Sequence, residues 1–133
     1  MKNFLEHMSI NVSNPEKSFP FYKDLFSFLG YEIIRDKEDG ISVTKKGSPD
    51  IWIDVTDPKY IPNGFHRKNT GLNHLAFKVE SKEEVDRFYN EFIKPKNIKT
   101  LYETPKVFLE YEPNYYAVFF EDPDRIKIEV LYY

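Results

Sequence analysis

The chain repeats itself. Leu5-Glu6-His7-Met8-Ser9-Ile10-Asn11-Val12-Ser13 lines up with Leu72-Asn73-His74-Leu75-Ala76-Phe77-Lys78-Val79-Glu80, and Phe21-Tyr22 with Phe88-Tyr89, both at a spacing of 67 residues. Ile51-Trp52-Ile53-Asp54-Val55 then matches Ile126-Lys127-Ile128-Glu129-Val130 at a spacing of 75, as loop growth inside the second half would produce. Self-similarity of this kind marks a duplicated structural unit. Each half opens with a histidine strand and closes with a carboxylate strand. The expectation is one domain over residues 1–133, built from module one (about 1–58) and module two (about 71–133).

Each half reads as strand, helix and three further strands. Met8, Ile10 and Val12 alternate with His7, Ser9 and Asn11, the period of a half-buried strand. Phe19, Tyr22, Leu25, Phe26 and Leu29 follow at helical spacing, with Gly30 as the stop. Pro20 conflicts with a helix interior, so the helix is expected to begin near Ser18, or to bend at Pro20. In the second half Ser81 and Glu84 form a capping box, Val85, Phe88, Tyr89 and Phe92 make the apolar stripe, and Pro95 ends it. Asp39-Gly40 reads as a hairpin turn, Lys46-Gly47-Ser48-Pro49 as the turn before the strand Ile51–Val55, and Asp57–Thr70 as the linker between halves. Lys99–Glu103, Tyr115–Phe120 and Ile126–Leu131 are the later strands, the last two joined by the tight turn Asp122-Pro123-Asp124-Arg125. The fold class is α+β.

Composition narrows the function. There is no cysteine, which excludes disulfide frameworks, thiolate metal sites and cysteine nucleophiles. A net charge of −3 gives no electrostatic footprint for nucleic acid or an anionic membrane. The longest apolar run, Tyr115–Phe120, is far short of the ~20 residues a membrane span needs. Glu6 and His7 interrupt any signal-peptide core, so a cytoplasmic location is expected. Aromatic residues make up 17% of the chain, suited to a lined pocket or a packed β core.

Alternation also sorts the polar side chains. Where Met8, Ile10 and Val12 face the helix, His7, Ser9 and Asn11 face away, and His74, Ala76 and Lys78 do the same in the second half. Trp52, Asp54 and Thr56, and likewise Lys127, Glu129 and Leu131, leave the helix side of the closing strands. Two histidines and two carboxylates would converge if the sheets curl around a common cleft. Imidazole and carboxylate are the donors for Zn, Fe, Mn, Ni or Co. With positions left open, such an ion polarises a substrate oxygen, while a carboxylate beside it acts as base. A lone strand histidine is ordinarily structural; the repeated register is what makes His7, His74 and Glu129 candidate ligands. Asp54 is a fourth candidate with a shorter reach. Glu129 or Asp54 would move the proton, and Trp52, Tyr115, Phe119 and Lys127 could line a substrate pocket. Lys78 could also meet an anionic substrate, and His66 reads as a surface residue.

At these residues the sequence resembles the vicinal oxygen chelate superfamily, the glyoxalase, bleomycin-resistance and extradiol-dioxygenase group. The likeness rests on His7 followed by Ile10, Val12, Phe21-Tyr22 and Leu29-Gly30, on Gly71-Leu72-Asn73-His74-Leu75-Ala76-Phe77, and on Tyr116 to Asp124 before Ile128-Glu129. The ending is most similar to a bacterial branch of single-domain members without an assigned reaction. The resemblance implies paired βαβββ modules forming a half-barrel cleft around a divalent metal, with ligands at His7, His74 and Glu129 and a fourth position at Asp54. Where the superfamily usually has glycine after its Asp-Pro-Asp turn, this chain has Arg125. The resemblance further implies a homodimer and a metal-dependent lyase, isomerase or thiol transferase acting on a small oxygenated substrate. Alternatives in the same superfamily are an Fe(II) extradiol dioxygenase and a metal-free protein that sequesters an aromatic or cationic antibiotic.

Overall fold

The computed structural model describes residues 3–133. The chain is α+β, with two four-stranded sheets, and divides between Gly64 and Phe65 into two compact units. The first carries β1 (His7–Val12), α1 (Pro15–Phe28), β2 (Glu32–Lys37), β3 (Gly40–Thr44) and β4 (Asp50–Val55), followed by a short 3-10 helix at Pro58–Asn63. The second carries β5 (His74–Lys78), α2 (Lys82–Phe88), β6 (Thr100–Val107), β7 (Tyr116–Glu121) and β8 (Lys127–Tyr132). Each unit is thus a βαβββ module, its strands ordered β1-β4-β3-β2 and β5-β8-β7-β6. The first and last strands of each module run parallel, and the other pairs are antiparallel. A parallel pair needs a long return connection, which the helix and two intervening strands supply. Among the described residues no helix is long and apolar enough to cross a membrane.

One face of each sheet is buried with its helix. Ile10, Val12, Ile51 and Ile53 are buried together with Phe19, Tyr22, Leu25 and Phe26 of α1. In the second unit Leu75, Ile128 and Val130 are buried with Val85 and Phe88 of α2, whose Phe88 ring lies 5.5 Å from Phe120. Each such side chain contributes roughly 1.5–3 kcal/mol on leaving water.

Helix α1 starts earlier than the proline suggests. Asn14 caps it, its side chain accepting from the Lys17 N–H at 3.3 Å, and Pro15 takes the first helical position, where a missing N–H costs nothing. Pro20 therefore lies inside the helix rather than in its first turn. It is exposed, so water can satisfy the carbonyl that it leaves unpaired. Gly30 closes the helix at φ 79°, in the left-handed conformation that glycine adopts freely. At α2 the Ser81 hydroxyl accepts from the Glu84 N–H as expected, while the Glu84 carboxylate reaches back to the Glu80 N–H instead of that of Ser81. A π-turn at Tyr89–Ile93 then widens the helix, burying Phe92 and Ile93 and leaving Tyr89 half-exposed.

The strand register corrects the repeat alignment. In β1–β4, Ser9 stands opposite Trp52 and Asn11 opposite Asp54. In β5–β8, Ala76, the counterpart of Ser9, stands opposite Glu129. The residue in module one that occupies the place of Glu129 is therefore Trp52, and Asp54 corresponds to Leu131. A two-residue slip keeps every side chain on its face, so alternation alone does not detect it. Asp54 shares the face of Glu129 but stands one strand repeat further along, roughly 6.6 Å.

Candidate functional site

The residue types expected at a metal site meet in module two. Glu129 lies on β8 with 1% of its surface exposed. The small residue Ala76 stands opposite it on β5 and leaves room above the sheet. The Tyr115 hydroxyl donates to Glu129 Oε1 at 2.6 Å. The second oxygen, Oε2, faces His74 Nε2 at 3.5 Å. On the far side of that ring, Nδ1 is engaged by Asn73 Oδ1 at 2.7 Å. Burial pushes the Glu129 carboxyl above the usual carboxylate range, against the pull of Tyr115 and Lys127. Burial also lowers His74, with the Lys127 ammonium adding to the effect. The imidazole is thus neutral at pH 7, and its approach to Glu129 is not an ion pair. Burial and the Glu129 bond together raise Tyr115, which keeps it a hydroxyl donor.

A cleft of about 590 Å³ opens beside this pair, a volume typical of small-molecule sites. Its floor is an aromatic cluster on the sheet face away from the helix, where Phe108 packs edge-on against Phe119, their ring centroids 5.4 Å apart. Phe108 arrives from the connection between β6 and β7, in the part of module two that is longer than its mate. Before it the β6–β7 ladder breaks. Leu101 pairs with Phe119 and Lys106 with Ala117, so Tyr102 to Pro105 form a wide bulge. Tyr102 and Glu103 both adopt left-handed backbone, at φ 58° and 55°. The buried Thr104 hydroxyl takes over the lost ladder bonds, accepting from the Phe119 N–H at 3.0 Å and donating to the Leu101 carbonyl at 2.7 Å. Tyr102 stands edge-on to Phe119 with centroids 5.5 Å apart, forming a wall of the cleft.

The sequence-derived candidates divide between the modules. Tyr115, Phe119 and Lys127 line the cleft with His74 and Glu129. Trp52 stands half-buried on the module-one sheet. Asp54 is held by the Ser9 hydroxyl and lies close over Gly40, where an added Cβ would come 2.7 Å from Asp54 Oδ1. His7 is 60% exposed, with its Nδ1 engaged by the Glu6 carboxylate. Lys78 covers the Tyr133 ring at 3.6 Å. His66 is an exposed loop residue whose Nδ1 accepts from the Lys68 N–H. Tyr102 and Lys106 on β6, and Phe108 and Tyr111 in the connection that follows, complete the cleft lining; the last two lie in a segment that reads as loop in the sequence, and the bulge that turns Tyr102 inward leaves no mark on the alternation.

The donor set fits a metal in part. Among the described residues, no three or more His, Asp or Glu side chains are gathered to hold an ion. Within module two one imidazole and one carboxylate meet, those of His74 and Glu129. That pair is prepared for the role. Asn73 takes Nδ1 and Tyr115 takes Oε1, leaving His74 Nε2 and Glu129 Oε2 directed at each other. Their 3.5 Å separation is long for a hydrogen bond and suits two donors each about 2.1 Å from one ion. In both modules the side-chain oxygen of the preceding residue, Glu6 or Asn73, holds the histidine Nδ1 and leaves Nε2 free. Outer-shell bonds of this kind orient metal-binding histidines.

Comparison with known proteins agrees with this architecture. Residues 4–130 match the Glyoxalase/Bleomycin resistance protein/Dioxygenase superfamily. The chain is 36% identical over 127 residues to the uncharacterized protein YqjT of Bacillus subtilis, covering 96% of this chain and 97% of that one. It is 25% identical over 126 residues to the metallothiol transferase FosB of Staphylococcus haemolyticus, covering 95% of this chain and 81% of the relative. Among solved structures, a glyoxalase candidate from Bacillus halodurans superposes with a TM-score of 0.88 at 39% identity, over 99% of this chain and 97% of that one. The fosfomycin resistance protein FosX of Listeria monocytogenes gives a TM-score of 0.69 at 25% identity, over 100% and 95%. With its two βαβββ modules and a family match over nearly its whole length, the chain belongs to the glyoxalase, bleomycin-resistance and dioxygenase superfamily.

Proposed function

We propose that this protein is a divalent-metal enzyme, a lyase, isomerase or thiol transferase, acting on a small oxygenated substrate in the module-two cleft. The observation that carries this is the pair of free donor atoms, His74 Nε2 and Glu129 Oε2, facing each other at 3.5 Å while their companion atoms are occupied. His7, from the same or a second copy of the chain, is the third ligand. Asp54 is left out, because Ser9 engages it and the register gives the place of Glu129 to Trp52. When bound, the ion supplies Lewis-acid polarisation of a substrate oxygen. The chain's own residues do the rest. The aromatic floor excludes water, Tyr115 fixes the orientation of Glu129 through Oε1, and the Glu129 carboxylate moves a proton when it is not holding the ion. The likeness to a metallothiol transferase supports the thiol-transferase reading.

Metal analysis of protein purified without chelator tests the ligand set. About one ion per chain is expected in the parent, with loss in His74→Ala, Glu129→Gln and His7→Ala. Equal metal content in all four proteins would end the proposal. The aromatic floor also favours a second reading, a metal-free binding protein. Tight binding of a glycopeptide antibiotic by fully demetallated protein, with no metal uptake by the parent, would select it. A third superfamily reaction, extradiol ring cleavage, would give coloured products from catechols with the Fe(II)-loaded protein.

A further inference from the structure

Two lysines, Lys106 and Lys127, line the module-two cleft. Lys127, half-buried at the start of β8, places its ammonium 5.4 Å from the Phe119 ring and 5.7 Å from the Tyr102 ring. Lys106, exposed at the rim, lies 5.2 Å from the Phe108 ring. Both ammonium groups lie over aromatic faces, and among the described residues neither is within ion-pair distance of a carboxylate, Lys127 acting on Glu129 only at longer range. The one acid in the lining, Glu129, is buried and engaged by Tyr115. The lining thus holds two lysine ammonium groups and a single acidic side chain. Cation–π contact offsets only part of an ammonium's lost hydration and leaves its donors open to an anion.

The bulge in β6 supports the same reading. A tyrosine in left-handed backbone is uncommon, and such conformations collect at ligand clamps. Here the strain sits at Tyr102 and Glu103, held by Thr104, and its result is to set the Tyr102 ring beside Lys127. Glycine would relieve the strain at position 102 but would remove the ring. A wall of rings with ammonium groups lying over them has a matching guest in a flat apolar body bearing negative charge.

We propose that the cleft is selective for an aromatic anion, its ring laid among Tyr102, Phe108 and Phe119 and its charged group held by Lys127 and Lys106. This rests on the reading of the module-two cleft as the substrate site, but not on the metal. It also excludes a cationic guest, which the two lysines would repel.

The test is calorimetric binding to chelator-treated protein, so that no ion contributes. The probes are 1-naphthoate, the neutral 1-naphthylmethanol, the cationic 1-naphthylmethylamine, and acetate. Naphthoate should bind at least tenfold more tightly than the alcohol, the amine more weakly than either, and acetate not measurably. Lys127→Met should abolish the preference for naphthoate over the alcohol while leaving alcohol binding in place, and Lys106→Met should reduce the preference. Tyr102→Ala should weaken both naphthyl ligands alike. Circular dichroism confirms that each variant folds. Equal affinity for naphthoate and alcohol, a preference that survives Lys127→Met, or no naphthyl binding at all would overturn the proposal. Loss of metal uptake with this preference intact would count against the metal-enzyme reading alone.

Discussion

Replacing Tyr115 with phenylalanine removes one oxygen atom and isolates the energetic role of the Glu129 bond. The hydroxyl donates at 2.6 Å to a carboxylate that is 1% exposed, within the short range of charge-assisted O–H···O bonds. Bonds to charged groups contribute about 1.5–3 kcal/mol net, and the phenylalanine would leave Oε1 buried with that partner gone. A loss of about 2 kcal/mol is expected for Tyr115→Phe. At roughly 2.1 cal/mol/K per residue, a chain of 133 residues unfolds with an entropy near 0.28 kcal/mol/K, so Tm should fall by about 7 °C. In a Glu129→Gln background the same change removes only a neutral hydrogen bond, worth about 1 kcal/mol. The double-mutant cycle should therefore show a coupling of about 1 kcal/mol. Urea denaturation of the four metal-free proteins at pH 8, followed by circular dichroism and tyrosine fluorescence together, measures it. An equal cost of Tyr115→Phe in both backgrounds would refute a charge-assisted bond to Glu129.

Asn73→Ala should weaken zinc binding about 10- to 100-fold with little change in stability, because the exposed amide orients the His74 ring through Nδ1; competition with a chromogenic chelator reads this out. At the Asp86–Tyr116 pair, burial pushes Asp86 up, but the Tyr116 hydroxyl and Lys82 outweigh it and hold the carboxyl below its usual range. Its stabilisation is therefore present above about pH 4, near the unfolded carboxyl value, and lost as pH falls further; Asp86→Asn should flatten that acid limb in denaturation curves. Burial and the bond to Asp86 push Tyr116 up to about 12, so its contribution is complete below its unfolded value near 10 and lost between about 10 and 12, a loss that Tyr116→Phe should remove. Arg125 sits in left-handed backbone at φ 69°, and its contact with Glu121 is exposed. Arg125→Gly should raise stability by about 0.5 kcal/mol, the relieved strain exceeding the added freedom of the unfolded chain; a lower Tm would contradict this.

Helix α1 and the Arg125 turn are both encoded locally. The Asn14-Pro15 pair is a start signal as strong as Gly30 is a stop, and it outweighs Pro20, whose cost an exposed position reduces. Arg125 was visible as a departure from the family pattern, and its positive φ explains why glycine is usual there. The bulge at Tyr102–Pro105 was not legible. It depends on a threonine hydroxyl reaching a strand neighbour fifteen residues away, and no periodicity encodes that.

The order of residues alone determined the duplicated βαβββ plan, the helix-facing cores and the face on which His7, His74, Asp54 and Glu129 stand, because hydrophobic alternation and capping act between near neighbours. Position along that face was decided only in three dimensions. Strand pairing put Trp52 rather than Asp54 in the place of Glu129, since a slip of two residues leaves the alternation unchanged. The tertiary structure likewise set His74 beside Glu129, and it folded β6 and the connection after it into an aromatic, lysine-bearing wall. Those contacts join residues far apart in the chain, where packing and the satisfaction of buried polar atoms outweigh any local preference.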